Sequence, residues 1–237
     1  MARISILTAA FNAESLLPLL IASLEAQTDT DFEWVLVDGG SRDHTVSLAQ
    51  AASLQRKVII SEPDFGIYDA LNKGVRAASG DYYLVMGADD TLLPDAVANY
   101  RRAAEGGPDM VTADVLAGGM RSSAHPGKAW LHGLRGYVSQ HSVGALIRKD
   151  LHVRFGYYSR RFPIAADQYF IKSAANGGAV IRRADFIAGE FGLSGSSSVD
   201  VAGTLTEFFR VQLLTERSRG VQVILFIVRL LKHYSRL

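Results

Sequence analysis

Residues 82–90 read Tyr-Tyr-Leu-Val-Met-Gly-Ala-Asp-Asp, an apolar run that closes on a glycine and two adjacent carboxylates. A short apolar run bounded by turn residues reads as a buried strand, so Asp89 and Asp90 stand where that strand leaves the core. Two chemistries suit such a pair. A hard divalent cation such as Mg²⁺ or Mn²⁺ takes one or two carboxylates and completes its shell with substrate phosphates. An aspartate ahead of Thr91-Leu92-Leu93-Pro94 equally suits a turn or a helix N-cap, where it accepts backbone N–H groups. The pair alone leaves both open.

Upstream, residues 4–8 predict a strand, and 16–26, with Leu and Ile at helical spacing, predict a helix after the turn Phe11-Asn12-Ala13-Glu14. A second strand at 32–37 stops at Asp38-Gly39-Gly40-Ser41, followed by a helix at 45–52 and a strand at 58–61. A helix at 67–78, ended by Gly80-Asp81, leads into the strand at 82–87. Strands alternating with helices at this spacing predict an α/β fold with a parallel sheet and helices on its faces. Ligands of such sheets bind beyond the carboxyl ends of the strands. The loops carrying Asn12, Asp38, Asp64, Asp89 and Asp90 all leave those ends, so they are expected to converge on one crevice.

Beyond about Glu105 the alternation weakens. Residues 110–115 predict a strand, the Gly-rich stretch 117–136 reads as an irregular, mobile loop, 143–151 and 166–175 read as helical, and 180–183 as a strand. There is no internal repeat and no low-complexity tract. These shifts divide the chain at about 105 and 200. The last part holds an amphipathic helix at 205–214 and an apolar stretch at 221–231 flanked by Arg217, Arg219, Lys232, His233 and Arg236. Eleven apolar residues are too few to span a hydrocarbon core, which needs about 20. The stretch suits a helix lying in the membrane interface with its cations on headgroups, or one packed on the domain or on a second subunit.

The composition limits the rest. A chain of 237 residues with 48% hydrophobic and 21% charged residues suits one large domain or two abutting lobes, not a disordered protein. Twenty-five basic against 24 acidic residues leave a net charge of +1, which gives no case for nucleic-acid binding. Without cysteine there are no disulfides or thiolate-bound zinc. The brief apolar stretch at 4–7 is too short for a secretory signal, so a cytoplasmic location is expected, compatible with the inner face of the cytoplasmic membrane.

Taken in order, the loop residues resemble the family 2 inverting glycosyltransferases with a GT-A fold. The resemblance runs from Arg3 to about Ser198 and rests on four motifs: Thr8-Ala9-Ala10-Phe11-Asn12, Val37-Asp38-Gly39-Gly40-Ser41-Arg42-Asp43-His44-Thr45, Ser61-Glu62-Pro63-Asp64-Phe65-Gly66-Ile67-Tyr68-Asp69-Ala70-Leu71-Asn72-Lys73-Gly74, and Gly87-Ala88-Asp89-Asp90. The third is close to a subgroup that builds bacterial surface polysaccharides of the colanic-acid type. The resemblance implies a Rossmann-like nucleotide-sugar-binding half at 1–105, an acceptor-binding half with the catalytic base at 106–200, and a C-terminal helical tail at 201–237. It also implies a nucleotide-diphosphate sugar donor, UDP-sugars foremost, a lipid-linked or oligosaccharide acceptor, and a divalent cation, Mn²⁺ or Mg²⁺. Self-association is left open.

By the same resemblance Asp38 reads a uracil-type imide, Phe11 stacks on the base, Glu14 adds a polar contact and Asp64 meets the nucleoside. Asn72 and Lys73 face the crevice, Lys73 as a point charge for the diphosphate. Thr8, Ala10, Asn12, Gly40, Ser41, Gly66 and Ala88 complete the donor site. Asp89 holds ribose and shares the metal, Asp90 binds the metal, and His141 approaches the diphosphate or the metal. Asp167 is the catalytic base, since a single displacement needs one carboxylate to take the acceptor hydroxyl's proton. Plainer roles stand beside these: a turn carboxylate for Asp38, an early helix residue for Glu14, a surface lysine for Lys73, a helix N-cap for Asp167 and a structural histidine for His141. The chain departs from the pattern at Ala166, where many relatives carry Glu, and at Gln140-His141, where His-Gln is common. Residues 192–198 resemble a segment that closes the acceptor side. Ala166 and the basic, apolar tail also fit a different class, a catalytically silent nucleotide-sugar-binding or scaffolding protein of a membrane assembly. A dinucleotide oxidoreductase is a weaker third reading, because the first turn, 9–15, has no glycine to admit a pyrophosphate.

Overall fold

The structure, a computed structural model, describes residues 1–192 and 200–234. Its first half alternates as expected: β1 (Ile4–Ala10), α1 (Leu17–Glu25), β2 (Phe32–Asp38), α2 (Thr45–Ala51), β3 (Lys57–Ser61), α3 (Ile67–Ala77) and β4 (Tyr82–Val85). Then come β5 (Thr91–Leu92), α4 (Ala96–Ala103), β6 (Met110–Ala117), β7 (Met120–Ser122) and α5 (Ala129–His132), which runs into a 3₁₀ turn at Gly133–Gly136. The remainder is β8 (Ala145–Arg148), α6 (Leu151–Phe155), α7 (Ala166–Asn176), β9 (Ile181–Phe191), α8 (Val201–Thr215) and α9 (Arg219–Lys232).

The strands form one sheet in the order β3-β2-β1-β4-β8-β6-β9-β5, with β7 paired to β6. β3, β2, β1 and β4 are parallel, and the register Ala10↔Asp38↔Ser61 brings three strand ends level at one edge. These strands are apolar because helices cover both faces. Ile4, Ile6, Trp34 and Leu36 pack on one side with Leu17, Leu20 and Leu24 of α1, whose spacing puts them on one stripe. Leu7, Val35, Val37 and Tyr83 pack on the other with Ala70, Leu71 and Val75 of α3 and Phe170 and Ile171 of α7.

The second half corrects several expectations. Residues 143–151 are not one helix but β8, antiparallel to both β4 and β6, followed by the short α6. Sandwiched between two strands and covered on both faces, Ala145, Leu146 and Ile147 are all buried, so the run lacks the alternation that marks a strand. The stretch 117–136 carries β7, α5 and the 3₁₀ turn instead of an irregular loop, and the strand expected at 180–183 continues to Phe191, paired with β6 through two register shifts. After Asp89 and Asp90 the chain enters β5, and the N-cap of α4 is Asp95, so the acidic pair caps no helix. Of the segment 192–198, residues 193–198 lie outside the described residues.

Candidate active site

A cavity of about 450 Å³ opens at the carboxyl ends of β1 and β4. Phe11, Tyr68, Asp89, His141, Asp167 and Phe191 reach it from six different segments. A larger cleft, about 660 Å³, lies at the opposite edge of the sheet beside Arg3, Asp81, Arg148 and Lys149. Its charges are already committed: Arg3 pairs with Asp81 at 2.8 Å, the Lys149 ammonium donates to the Ala78 carbonyl, and Arg148 donates to the Tyr82 hydroxyl at 2.9 Å.

Of the expected donor residues, Ala10, Phe11, Ala88 and Asp89 line the first cavity, and so do Asp90, His141 and Asp167. Others do not. Asp38 is fully buried and spends its oxygens on its own surroundings, accepting from the Gly40 and Ser41 amides at 3.1 and 3.0 Å, from the Ser41 hydroxyl, and from Ser61 Oγ at 2.7 Å. It organises the loop after β2. Positive φ at Gly40 and Gly66 serves the same two loops. Asn12, itself at φ 48°, and Glu14 pin the loop after β1 to the next loop, accepting the Arg42 and His44 amides at 3.0 and 2.9 Å. Thr8 is buried and accepts from Trp34 Nε1 at 3.1 Å. Asn72 clamps both backbone groups of Tyr158 at 2.9 Å. Lys73 bonds the Pro63 carbonyl at 2.9 Å and Glu62 at 2.8 Å, fastening the loop before α3.

Asp64 does not line the first cavity but lies partly exposed beside Gly39, next to Phe11, which does. A Cβ added to Gly39 would lie 2.8 Å from Asp64 Oδ2 and 3.4 Å from the Phe11 ring. The missing side chain at 39 is therefore what lets Asp64 and the 64% exposed Phe11 come together. The Gly66 amide holds Asp64 Oδ1 at 2.8 Å, and Oδ2 is the oxygen that lies against Gly39.

The acidic pair divides its labour. Asp90 is 1% exposed and accepts from the Gly87 and Gly192 amides at 2.6 and 2.7 Å and from the Ser142 hydroxyl. Burial pushes its carboxyl upward, and these three donors oppose the shift. Asp89 is the more accessible of the two. A Cβ at Gly87 would come within 2.9 Å of its Oδ1, and one at Gly192 would overlap its carboxyl group. Glycine at both positions makes room for the Asp89 carboxylate.

Asp167 lies in the first turn of α7 but does not cap it. The N-cap is Ala165, and the helix entrance is closed by Glu207 of α8, which accepts the Ile164 and Ala165 amides at 2.9 Å each. That frees Asp167 to face the cavity, where the Tyr68 hydroxyl lies 2.7 Å from its Oδ1 and 2.8 Å from the Ile164 carbonyl, with one hydrogen for the two. The Tyr68 hydroxyl is held far from ionisation by burial and by the adjacent Asp167. His141 Nδ1 sits 3.8 Å from Asp167 Oδ2, while its Nε2 contacts Tyr158 Oη at 2.7 Å. Burial pulls His141 below the ordinary imidazole value, so it is neutral. Ala166 is fully buried; an acid there would point into the core rather than the cavity. Sequence reasoning missed Tyr68, Ser142, Tyr158 and Glu207. Tyr68 lay inside a quoted motif, but the others serve through partners far away in the chain.

A family profile described as glycosyl transferase family 2 matches residues 5–167. A PGL/p-HBAD biosynthesis glycosyltransferase of Mycobacterium bovis (strain BCG / Pasteur 1173P2) is 32% identical over 235 residues, covering 95% of this chain and 89% of the relative. Among solved structures, residues 1–349 of Staphylococcus aureus TarS in complex with UDP-GlcNAc superpose with a TM-score of 0.68 at 16% identity, over 98% of this chain and 73% of that one. The chain spans 44% of a longer TarS chain. The mannosyltransferase PcManGT from Pyrobaculum calidifontis, in complex with GDP-Man and Mn²⁺, gives a TM-score of 0.68 at 15% identity, over 99% and 75%.

Proposed function

This chain belongs to glycosyl transferase family 2 and is a glycosyltransferase of the GT-A fold, and from that premise we propose an inverting transfer from a nucleotide-diphosphate sugar, foremost a UDP-sugar, to a hydroxyl of a lipid-linked or oligosaccharide acceptor in surface polysaccharide synthesis. The observation that carries it is the meeting of Asp89 and Asp167, from opposite halves of the chain, in one cavity. Asp64 and Phe11 take the base, Asp64 by accepting an imide N–H. The acceptor oxygen attacks the anomeric carbon as the bond to the diphosphate breaks, and its proton passes to Asp167. One displacement inverts the centre.

The residues present fit a divalent cation, since an accessible carboxylate framed by two glycines offers hard oxygen ligands and leaves the remaining shell to phosphates. Asp89 would hold Mn²⁺ or Mg²⁺, with Asp90 behind it fixing the turn. When bound, the cation offsets charge on the departing diphosphate. His141, engaged with Tyr158 and Asp167, is left out of this set.

The tail supports attachment to the cytoplasmic membrane surface. No helix among the described residues is long and apolar enough to cross a membrane. α9 instead exposes Val223, Ile224, Ile227, Val228 and Leu231 along one face, bordered by the exposed Arg219 and Lys232, an arrangement suited to anionic headgroups.

A donor screen by nucleotide release, with Mn²⁺ and Mg²⁺ run separately, tests the reading. Asp167→Asn is expected to cut transfer by about 10²-fold or more while UDP still binds. Undiminished transfer by that variant removes Asp167 as the base, and UDP binding without transfer to any acceptor would make the protein a silent binder.

A further inference from the structure

Behind Asp167 runs a buried chain of polar contacts whose direction is fixed at its far end. His152 Nδ1 meets the Gly156 carbonyl at 3.1 Å. A carbonyl only accepts, so Nδ1 carries the hydrogen. The ring is stacked on Phe170 with centroids 4.2 Å apart and is 3% exposed; burial lowers its pKa to about 4, so it is neutral and Nε2 offers a lone pair. The Tyr83 hydroxyl, 2.7 Å away, must donate to that nitrogen. Its oxygen then accepts from Tyr158 Oη at 2.7 Å. With its single hydrogen spent, Tyr158 can only accept from His141 Nε2 at 2.7 Å. His141 is therefore the Nε2–H tautomer, and its bare Nδ1 faces Asp167 Oδ2 at 3.8 Å.

This order inverts the usual carboxylate–histidine pair, in which the ring N–H donates to the carboxylate. A donor there would stabilise the anion and weaken the base. We propose that the chain Gly156–His152–Tyr83–Tyr158 makes His141 a positioning residue that presents a hydrogen-bond acceptor to the protonated form of Asp167. The proposal rests on Asp167 being the base. As the acceptor O–H breaks and the new C–O bond forms, the electron pair of the old bond leaves on the diphosphate and the proton arrives on Asp167. Asp167 then turns its O–H toward Nδ1, and the proton departs to solvent with product release. Nothing is oxidised or reduced. The other groups around Asp167 sit elsewhere: the Tyr68 hydroxyl of α3, with one hydrogen between the Ile164 carbonyl at 2.8 Å and Asp167 Oδ1 at 2.7 Å, meets the other carboxylate oxygen, and Glu207 of α8 is occupied by two amides.

The test needs no variant in its first arm. Nitrogen NMR of histidine-labelled protein near neutral pH is expected to show His141 protonated on Nε2 and bare on Nδ1. Tyr158→Phe removes the acceptor of that N–H, while Asn72 still holds the backbone of residue 158 through both of its bonds. In this variant His141 is expected to shift its hydrogen to Nδ1, toward Asp167. kcat should fall about tenfold or more, with the donor KM changed by less than about twofold. An Nδ1-protonated His141 in the wild type overturns the proposal, as does an unchanged kcat in Tyr158→Phe. The base assignment fails separately: Asp167→Asn with full transfer refutes that assignment whatever the tautomer, whereas the wrong tautomer in an enzyme that Asp167→Asn inactivates refutes only the role of His141.

Discussion

Asp38 and Asp64 are both candidates for the nucleotide base, and they differ in what each would lose on conversion to asparagine. Asp38 accepts from two amides and two hydroxyls with no exposure. An amide NH₂ in place of one oxygen sets donor against donor. With about 1–3 kcal/mol for each unsatisfied buried group, Asp38→Asn should cost about 3 kcal/mol. In a chain of this size that lowers Tm by roughly 6–12 °C, while UDP binding by the folded fraction changes little. Asp64→Asn, at a partly exposed position, should leave Tm within about 1–2 °C. It removes a charge-assisted bond worth about 1.5–3 kcal/mol, which raises the UDP Kd about 10–100-fold. Gly39→Ala supplies an independent arm: its φ lies outside the left-handed region, so the backbone is unstrained, but the new methyl at 2.8 Å must displace Oδ2 by several tenths of an ångström. It should resemble Asp64→Asn in titration calorimetry and the wild type in scanning calorimetry. Loss of UDP binding in Asp38→Asn at unchanged Tm, with Asp64→Asn binding normally, would refute the reasoning and return the base to Asp38.

Asp89→Asn should abolish activation by Mn²⁺, read by nucleotide release across a Mn²⁺ titration, whereas Asp90→Asn, which disturbs three bonds to its carboxylate, should lower Tm in scanning calorimetry; full Mn²⁺ activation in Asp89→Asn would contradict the division. His152 takes up a proton in the unfolded chain near its ordinary 6.5 and in the folded one only near 4. The unfolded state thus binds more protons across that window, and acidification from pH 7 to 5 should remove about 2 kcal/mol of stability through this group, seen as a urea midpoint shift that His152→Gln lacks. Replacing Ile224, Ile227 and Leu231, which are 51–71% exposed, by serine should release the protein from anionic vesicles without altering its fold; undiminished co-sedimentation would point to a subunit contact instead.

The parallel half was legible because each strand is an apolar run ended by Gly, Asp or Ser, and that pattern also placed the crevice. What the sequence concealed was orientation. Asp38, the last residue of β2, and Asp64, in the loop after β3, both stand at the same sheet edge in sequence, and the Ser61 hydroxyl, 23 residues from Asp38, shows that Asp38 is spent inside. Asn72 looked like a crevice residue because its partner is Tyr158, 86 positions later. β8 was read as helix because an antiparallel strand inserted between β4 and β6 is apolar on both faces. The members of the histidine–tyrosine chain, at 83, 141, 152 and 158, share no spacing that a linear reading could join.

Glu207 closes the entrance of α7 beside Asp167, and about two helix turns further along α7 the buried Lys172 pairs with Glu216 just past the end of α8. α8 in turn packs on α9 through the stacked rings of Phe209 and Phe226, 4.4 Å apart. The helix that carries Asp167 is thus joined to the tail by two carboxylates and an aromatic stack. If α9 settles on a surface as proposed, that surface becomes a datum plane: it would set the height of Asp167 above it, and so how far an anchored acceptor would have to reach.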